Sequence, residues 1–554
     1  LVLPQAPGMV LPMSLPARCS LALLAGALAL LFFFRGQVAD GFVLLFGDRH
    51  DGVIALAIME HWANVFRGLA PWDRTAYFHP APGTLGYNDG YLLFGLLYAP
   101  LRGLGLDPFL AGEVVNLLLR ALGFAGMLVL LGRVLRLPFG AALLGAVLFT
   151  ISNGLFIRAS HAQLFVLGAI PWLGVLGGQA LAALQAGRRG ALFGWGAGFV
   201  LWFALCLMTG FYMAYFAALL GAAWLGCWVL VAPAGAARGL ARAGRSAAWP
   251  LLALGALTLV ALLPFLALYL PKAAETGMHP WAEVTQASLL DVIHVGERNW
   301  LWGWLVRWLK ALFRPDFPFW SERMTGFPPL LLGGFLAACL WLLRGGPADP
   351  GARAVWRALA LATVLTWLLT LQFGEHTAWR LAFAYLPGAR ATRVIARYQL
   401  FLALPVVALA MACLASRHWS RAGLALAAGL LLLEQGNAYA PRFLDRPLEA
   451  GRLRAVPPPP PGCRVFWVSA ARTESRFGEA VADPYNHNTE AMLVAEVIGM
   501  PTLNGISSFN PPGWPDGVAG TPAYTAAVRA YAQQHGLSGL CALDLQRFRW
   551  AGPD

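Results

Sequence analysis

Apolar runs of about 17–25 residues recur along this chain, separated by short arginine-bearing stretches and a few long polar ones. A helix of that length covers the hydrocarbon core of a bilayer. The runs at 19–35, 111–132, 138–157, 162–184, 191–208, 211–232, 248–270, 328–344, 354–372, 398–415 and 421–439 predict eleven crossings. A further apolar stretch, GYLLFGLLYAPLRGL at 90–104, would spoil the alternation if it crossed. It reads as a re-entrant or interfacial helix, tolerated where its backbone is buried in protein or lines a cavity. Residues 53–69 place Ile54, Ile58, Trp62, Val65 and Leu69 on one stripe, with Glu60, Asn64 and Arg67 facing elsewhere. That spacing predicts an amphipathic helix lying along the membrane surface. NWLWGWLVRW at 299–308 suggests a second interfacial helix, with ordinary packing as the plainer reading.

Composition agrees with the pattern. The chain is 58% hydrophobic and only 12% charged, against about a quarter charged in a soluble domain, and its mean hydropathy is +0.62. The first run has no obvious small-residue cleavage site and reads as an anchor rather than a signal peptide, with Met9 or Met13 as candidate starts. The net charge of +13 could suggest a nucleic-acid partner, but the arginines lie in short loops. Arg133 and Arg136, Arg188 and Arg189, Arg238, Arg242 and Arg245, Arg344, Arg353 and Arg357, and Arg417 and Arg421 fall in five loops that alternate correctly if all are cytoplasmic. Their charge is then an orientation signal, and a nucleic-acid role is set aside. The N-terminus is expected inside and the C-terminus outside. Lys272 and Lys310 are the only lysines, a bias that fits a GC-rich bacterial genome and so a bacterial cytoplasmic membrane.

On that topology the long segments share the outer face. The chain divides into an extension at 1–18, a membrane domain at 19–440 with outer loops at 36–110, 271–327 and 373–397, a proline-rich linker at 441–462, and a periplasmic or extracellular domain at 463–554. The fold class is an all-α polytopic membrane protein with a small α/β domain at its end. In that domain CRVFWVS reads as a strand and TEAMLVAEVIG as a short helix, while Trp514 could sit at headgroup level. Cys463 and Cys541 could pair in an oxidising compartment or stay as buried thiols. The other five cysteines read as packing residues.

Candidate chemistry gathers on the same face. FGDRHDG at 46–52 sets Asp48 and Asp51 just before a predicted helix. Either can cap that helix, or act as a base or metal ligand at the membrane surface, where ionisable groups are costly to keep. HPAPGTLGYND contributes His79 and Asp89, and NGLFIRASHAQLF contributes Arg158, His161 and Gln163. LPGARATRVIARYQ contributes Arg390, Arg393 and Arg397. The arginines suit phosphate through their forked donors; they can also snorkel to headgroups and do nothing more. Tyr212 and Tyr215 read as interface anchors, and Glu434 as a structural group that pairs with an outer arginine. No P-loop, Rossmann fingerprint or HExxH motif is present.

In order and spacing these motifs resemble the C-type (GT-C) superfamily of membrane glycosyltransferases, which use polyprenyl-phosphate-linked sugars. GDRHDG is similar to the acidic motif that opens the first outer loop of large bacterial multi-pass members. HPAPGTLGYND, SHAQLF, LPGARATRVIARYQ and NGISSFNPP are similar to later segments of the same pattern. The chain departs from it in two places: its acids are three apart rather than adjacent or DxD-spaced, and Ser160 stands where glycine is usual. The resemblance implies inverting transfer of the sugar to a hydroxyl on a glycan, lipid or protein acceptor, in a protein whose other partners are membrane lipids. Asp48 or Asp51 would be the base. Arg393 and Arg397, with Arg158, would hold the leaving phosphate, and His79, His161, Gln163 and Asp89 would help bind substrate. Asp48, Asp51 and Asp89 are the oxygen ligands available if a divalent cation such as Mg or Mn takes part. Two other readings stand beside this one, a transporter or flippase of a lipid-linked saccharide and a non-catalytic assembly protein of the envelope.

Overall fold

The structure, a computed structural model, describes residues 13–315, 322–473, 476–477 and 484–553. Among them nine helices are long and apolar enough to cross a membrane: Leu15–Phe33, Pro108–Val134, Phe139–Ile157, Ala162–Gln185, Arg189–Leu207, Phe211–Val231, Ala248–Thr276, Pro350–Thr370 and Ile395–Ala415. The chain is an integral membrane protein. The predicted crossings at 328–344 and 421–439 form shorter apolar helices, Pro329–Leu343 and Arg421–Leu433. Ile395–Ala415 is the central helix, almost wholly buried, whereas Ala248–Thr276 turns Leu252, Leu259, Val260 and Leu263 outward. An apolar face turned outward suits lipid, while buried small residues let helix backbones approach closely.

One such approach fixes the position of the hairpin at 153–169. Gly168 lies against the Pro108–Val129 helix so tightly that an added Cβ would come within 2.0 Å of the Leu119 carbonyl oxygen. Gly168→Ala is therefore expected to destabilise the protein by about 1–3 kcal/mol, the cost of overpacking a filled core; thermal unfolding in detergent measures it.

The long loops knit together at one end of the bundle. Leu44–Leu45 pairs antiparallel with Leu444–Asp445, and Ala287–Ser288 runs parallel to Leu371–Gln372. Isolated bridges join Gly47 to Arg442, Thr285 to Val394 and Asn299 to Asn437. Beneath them, buried Asn153 donates to the Val295 carbonyl at 3.0 Å and accepts from Asn437 at 3.0 Å. Satisfied amides of this kind hold loops rigidly where no regular sheet does so.

The helix predicted along the membrane surface is instead interior. It spans Asp51–Phe66 and is buried from Gly52 to Asn64, Glu60 and His61 included. Two elements supply most of its cover. Helix Leu92–Gly103 packs on one side, where Gly95 leaves room for Trp62. Helix Pro484–Ile498 of the C-terminal domain packs on another. The polar stripe that suggested solvent is matched group by group. Glu60 accepts from Arg102 at 2.7 Å and Tyr98 at 2.6 Å, and Asn64 donates to Glu496 at 3.0 Å.

The C-terminal domain holds a three-stranded sheet, Val465–Ala470 parallel to Leu540–Asp544 and the latter antiparallel to Arg549–Ala551. Helices Pro484–Ile498 and Pro522–Gln534 accompany it. Cys463 and Cys541 form a disulfide with Cα atoms 5.7 Å apart. Two expectations need correction. The segment 441–462 is not a simple linker, because Leu444–Asp445 is a strand and Arg446–Ala455 a helix capped by Asp445. Trp514 does not reach a headgroup layer. It is buried edge-on against Phe78 and donates to the Leu503 carbonyl at 2.7 Å, an apolar ring whose single donor is satisfied within the protein. Trp300, Trp304 and Trp308, beside or on helix Gly303–Phe313, do remain exposed.

Candidate active site

Asp48 closes the first turn of the interior helix. Its Oδ1 accepts from the backbone N–H groups of His50 at 2.9 Å and Gly52 at 3.3 Å, so the capping role is real. Burial raises its carboxyl above the ordinary value, the Asp51 charge raises it further, and His161 and His50 oppose the rise. Two acids this close disfavour joint ionisation. Asp51, the first residue of the helix, has its side chain 37% exposed and its Oδ2 3.4 Å from His161 Nε2.

His161 leads to the arginines. Its Nε2 lies 3.0 Å from Oε1 of Glu322, and the same oxygen is 2.6 Å from Arg158 Nη2 and 3.2 Å from Arg397 Nη2. The donors come from two parts of the chain: Arg158 and His161 from the turn that follows the short helix Asn153–Ile157, and Arg397 from the start of the central helix. Arg397 also lies over the Tyr212 ring, 5.6 Å from its centroid. Burial by itself would raise the Glu322 carboxyl, but Arg397, His161 and Arg158 hold it well below the usual carboxylate range. Asp51, His161, Arg158 and Arg397 are thus linked through contacts of 3.4 Å or less, with Glu322 at their centre.

With this geometry the similarity to known proteins has meaning. No protein-family model and no curated protein matches the chain. Among solved structures, arabinofuranosyltransferase AftD from Mycobacteria superposes with a TM-score of 0.54 at 14% identity, covering 98% of this chain. The apo oligosaccharyltransferase of Archaeoglobus fulgidus superposes at 0.51 and 11% identity, covering 95% of this chain and 69% of its own. The chain has the C-type glycosyltransferase fold. It spans 36% of the length of AftD, so the similarity concerns the scaffold shared by the two and not the activity of the larger protein.

Other predicted residues take different places on this C-type scaffold. Gln163 accepts from the Tyr91 hydroxyl at 3.2 Å. Asp89 accepts from the backbone N–H of Phe211 at 2.8 Å, and burial raises its carboxyl. Arg393 keeps its side chain exposed and joins the site through its backbone, whose N–H donates to the Tyr212 hydroxyl at 2.8 Å. Tyr212 is therefore part of the site's frame rather than an interface anchor. His79 belongs to the joint with the C-terminal domain. Its backbone donates to the Thr502 carbonyl, and burial, then Arg74 and His535, lower its imidazole pKa and favour the neutral form. Glu434 pairs with no arginine among the described contacts; it caps the helix at 329–343 through Leu330 N and Leu331 N and accepts from Trp302.

Asp48, Asp51 and Asp89 are the oxygen ligands considered above for a divalent cation. Among the described residues no three His, Cys, Asp or Glu side chains converge as a ligand set. Asp48 and Asp89 each commit an oxygen to backbone N–H groups. Glu322 is the site residue that sequence reasoning missed. It stands alone in SERMTGF with no recognisable spacing to its partners, and its one signal is a lone acid in a long loop on the arginine-bearing face.

Proposed function

We propose that the protein transfers a sugar from a polyprenyl-phosphate carrier to a hydroxyl acceptor, with inversion at the anomeric carbon, on the outer face of a bacterial cytoplasmic membrane. The observation that carries the reading is the adjacency of the Asp48–Asp51 pair to the Arg158–His161–Arg397 cluster, on a scaffold shared with an arabinofuranosyltransferase and an oligosaccharyltransferase. An acid pair beside an anion-binding cluster is what displacement at a phosphate-bearing carbon requires. Asp48, whose proton affinity burial and Asp51 raise, takes the acceptor's hydroxyl proton. The freed oxygen forms a bond to the anomeric carbon as the bond from that carbon to the phosphate oxygen breaks, and the electron pair leaves with the phosphate. Arg397 and Arg158, buried and already aimed, stabilise the charge that develops there. Sidedness is supported by the loop arginines at the other end of the bundle and by the Cys463–Cys541 disulfide, a bond suited to an oxidising compartment.

The test is reconstitution in liposomes with a polyprenyl-phosphate sugar, following release of the free polyprenyl phosphate. Arg397→Ala is expected to reduce release by about 10²–10³-fold, the usual cost of removing one preorganised stabilising group. Near-normal turnover in that variant would remove the arginine from the mechanism. Movement of the intact sugar-lipid across the bilayer without bond cleavage would identify a flippase instead.

A further inference from the structure

Glu322 has no place in the transfer just described, yet it sits on the site's strongest donors. One of its oxygens meets Arg158, His161 and Arg397 together, and the other lies 3.4 Å from Arg397 Nε. Three donors on one oxygen is the coordination a phosphate oxygen would use. The members of the cluster also differ in how firmly they are held. Arg158 and Arg397 are only 5% and 8% exposed at their side chains, Arg397 at the start of the almost wholly buried central helix. Glu322 is 29% exposed and belongs to a stretch, 322–328, without helix or strand.

Two buried guanidiniums need a counter-charge at all times, because leaving them uncompensated in a water-poor site is costly. While a substrate phosphate is present, it supplies that charge. Between turnovers the carboxylate of Glu322 does so. The charges of the two phosphate species also differ. In the carrier-linked sugar the phosphate is a diester with one negative charge. After transfer it is a monoester, which carries about 1.5 to 2 negative charges near neutral pH. A site of two arginines and a histidine therefore holds the product more tightly than the donor, and release needs help.

We infer that Glu322 is a resident phosphate surrogate that re-occupies the Arg158–His161–Arg397 site after transfer and so displaces the polyprenyl phosphate product. The inference rests on the reading of that cluster as the carrier-phosphate site. It makes Glu322 a positioning and release residue, not a catalytic one, with a kinetic signature that a merely structural role lacks. Removing the competitor strengthens binding of every phosphate at the site, and of the product most.

The experiment compares wild type, Glu322→Gln and Glu322→Asp in nanodiscs, with C55 polyprenyl phosphate and the matching polyprenol as binding probes and steady-state kinetics alongside. Glu322→Gln is expected to bind polyprenyl phosphate at least tenfold more tightly, to lower kcat and KM together, and to show stronger product inhibition. Glu322→Asp restores the carboxylate and is expected to return all three towards wild type. If wild type and Glu322→Gln both prefer the phosphate over the alcohol but Glu322→Gln binds it no more tightly, the surrogate role is overturned and the phosphate site stands. If neither protein distinguishes phosphate from alcohol, the phosphate site itself is wrong, and the surrogate role falls with it.

Discussion

Asp48→Asn is expected to lower turnover by about 10²–10⁴-fold, the range for loss of a general base, while leaving binding of polyprenyl phosphate intact. The side-chain amide still accepts from the N–H groups of His50 and Gly52, so the cap on the interior helix persists and the effect reports chemistry rather than unfolding. The acid limb of the rate profile separates the two acids. The base works only when ionised, and burial and Asp51 raise its carboxyl, so wild-type activity should fall with decreasing pH earlier than for an ordinary aspartate. Asp51→Asn removes a like charge, lowers the proton affinity of Asp48, and should move that limb to lower pH. A limb that moves the other way, or an Asp48→Asn enzyme with ordinary turnover, would transfer the role of base to Asp51 or elsewhere.

Cys541→Ser is expected to weaken the C-terminal domain by about 4 kcal/mol, since the bond closes a loop of 78 residues whose freedom the unfolded chain would otherwise regain. Chemical denaturation of the intact chain, followed by proteolysis within 463–553, measures the loss. Turnover should fall as well. Helix Pro484–Ile498 braces the helix that begins at Asp51 and whose start Asp48 holds, with Glu496 accepting from Asn64 at 3.0 Å and from the Ala76 N–H at 2.7 Å. If the domain loosens while activity is untouched, the bracing contacts do not position the acids.

The division between what was legible and what was not follows interaction range. A bilayer demands long apolar helices whose backbone groups are satisfied internally, so the class of the protein and nine of the eleven predicted spans stand in the linear pattern. The strand at 465–470 and the helix at 484–498 were readable for the same reason, because period and turn residues act locally. Asp48, Asp51, His161 and Arg397 were singled out by residue type and by their position at helix ends, which is local information too.

The environment of the helix Asp51–Phe66 was not legible. Its polar stripe has the same spacing whether it meets water or a domain more than 400 residues away, and only the structure shows Glu496 there. Glu322 was hidden for a related reason: its partners Arg158 and Arg397 are 164 and 75 residues distant, and no spacing encodes them. The amino-acid sequence by itself determined the membrane class, most of the spans and the kinds of chemical group available, because each depends on neighbours within a few turns of chain. Only the tertiary structure decided which of those groups meet, since charge pairing and burial depend on distance in space and the linear order of residues leaves that distance open.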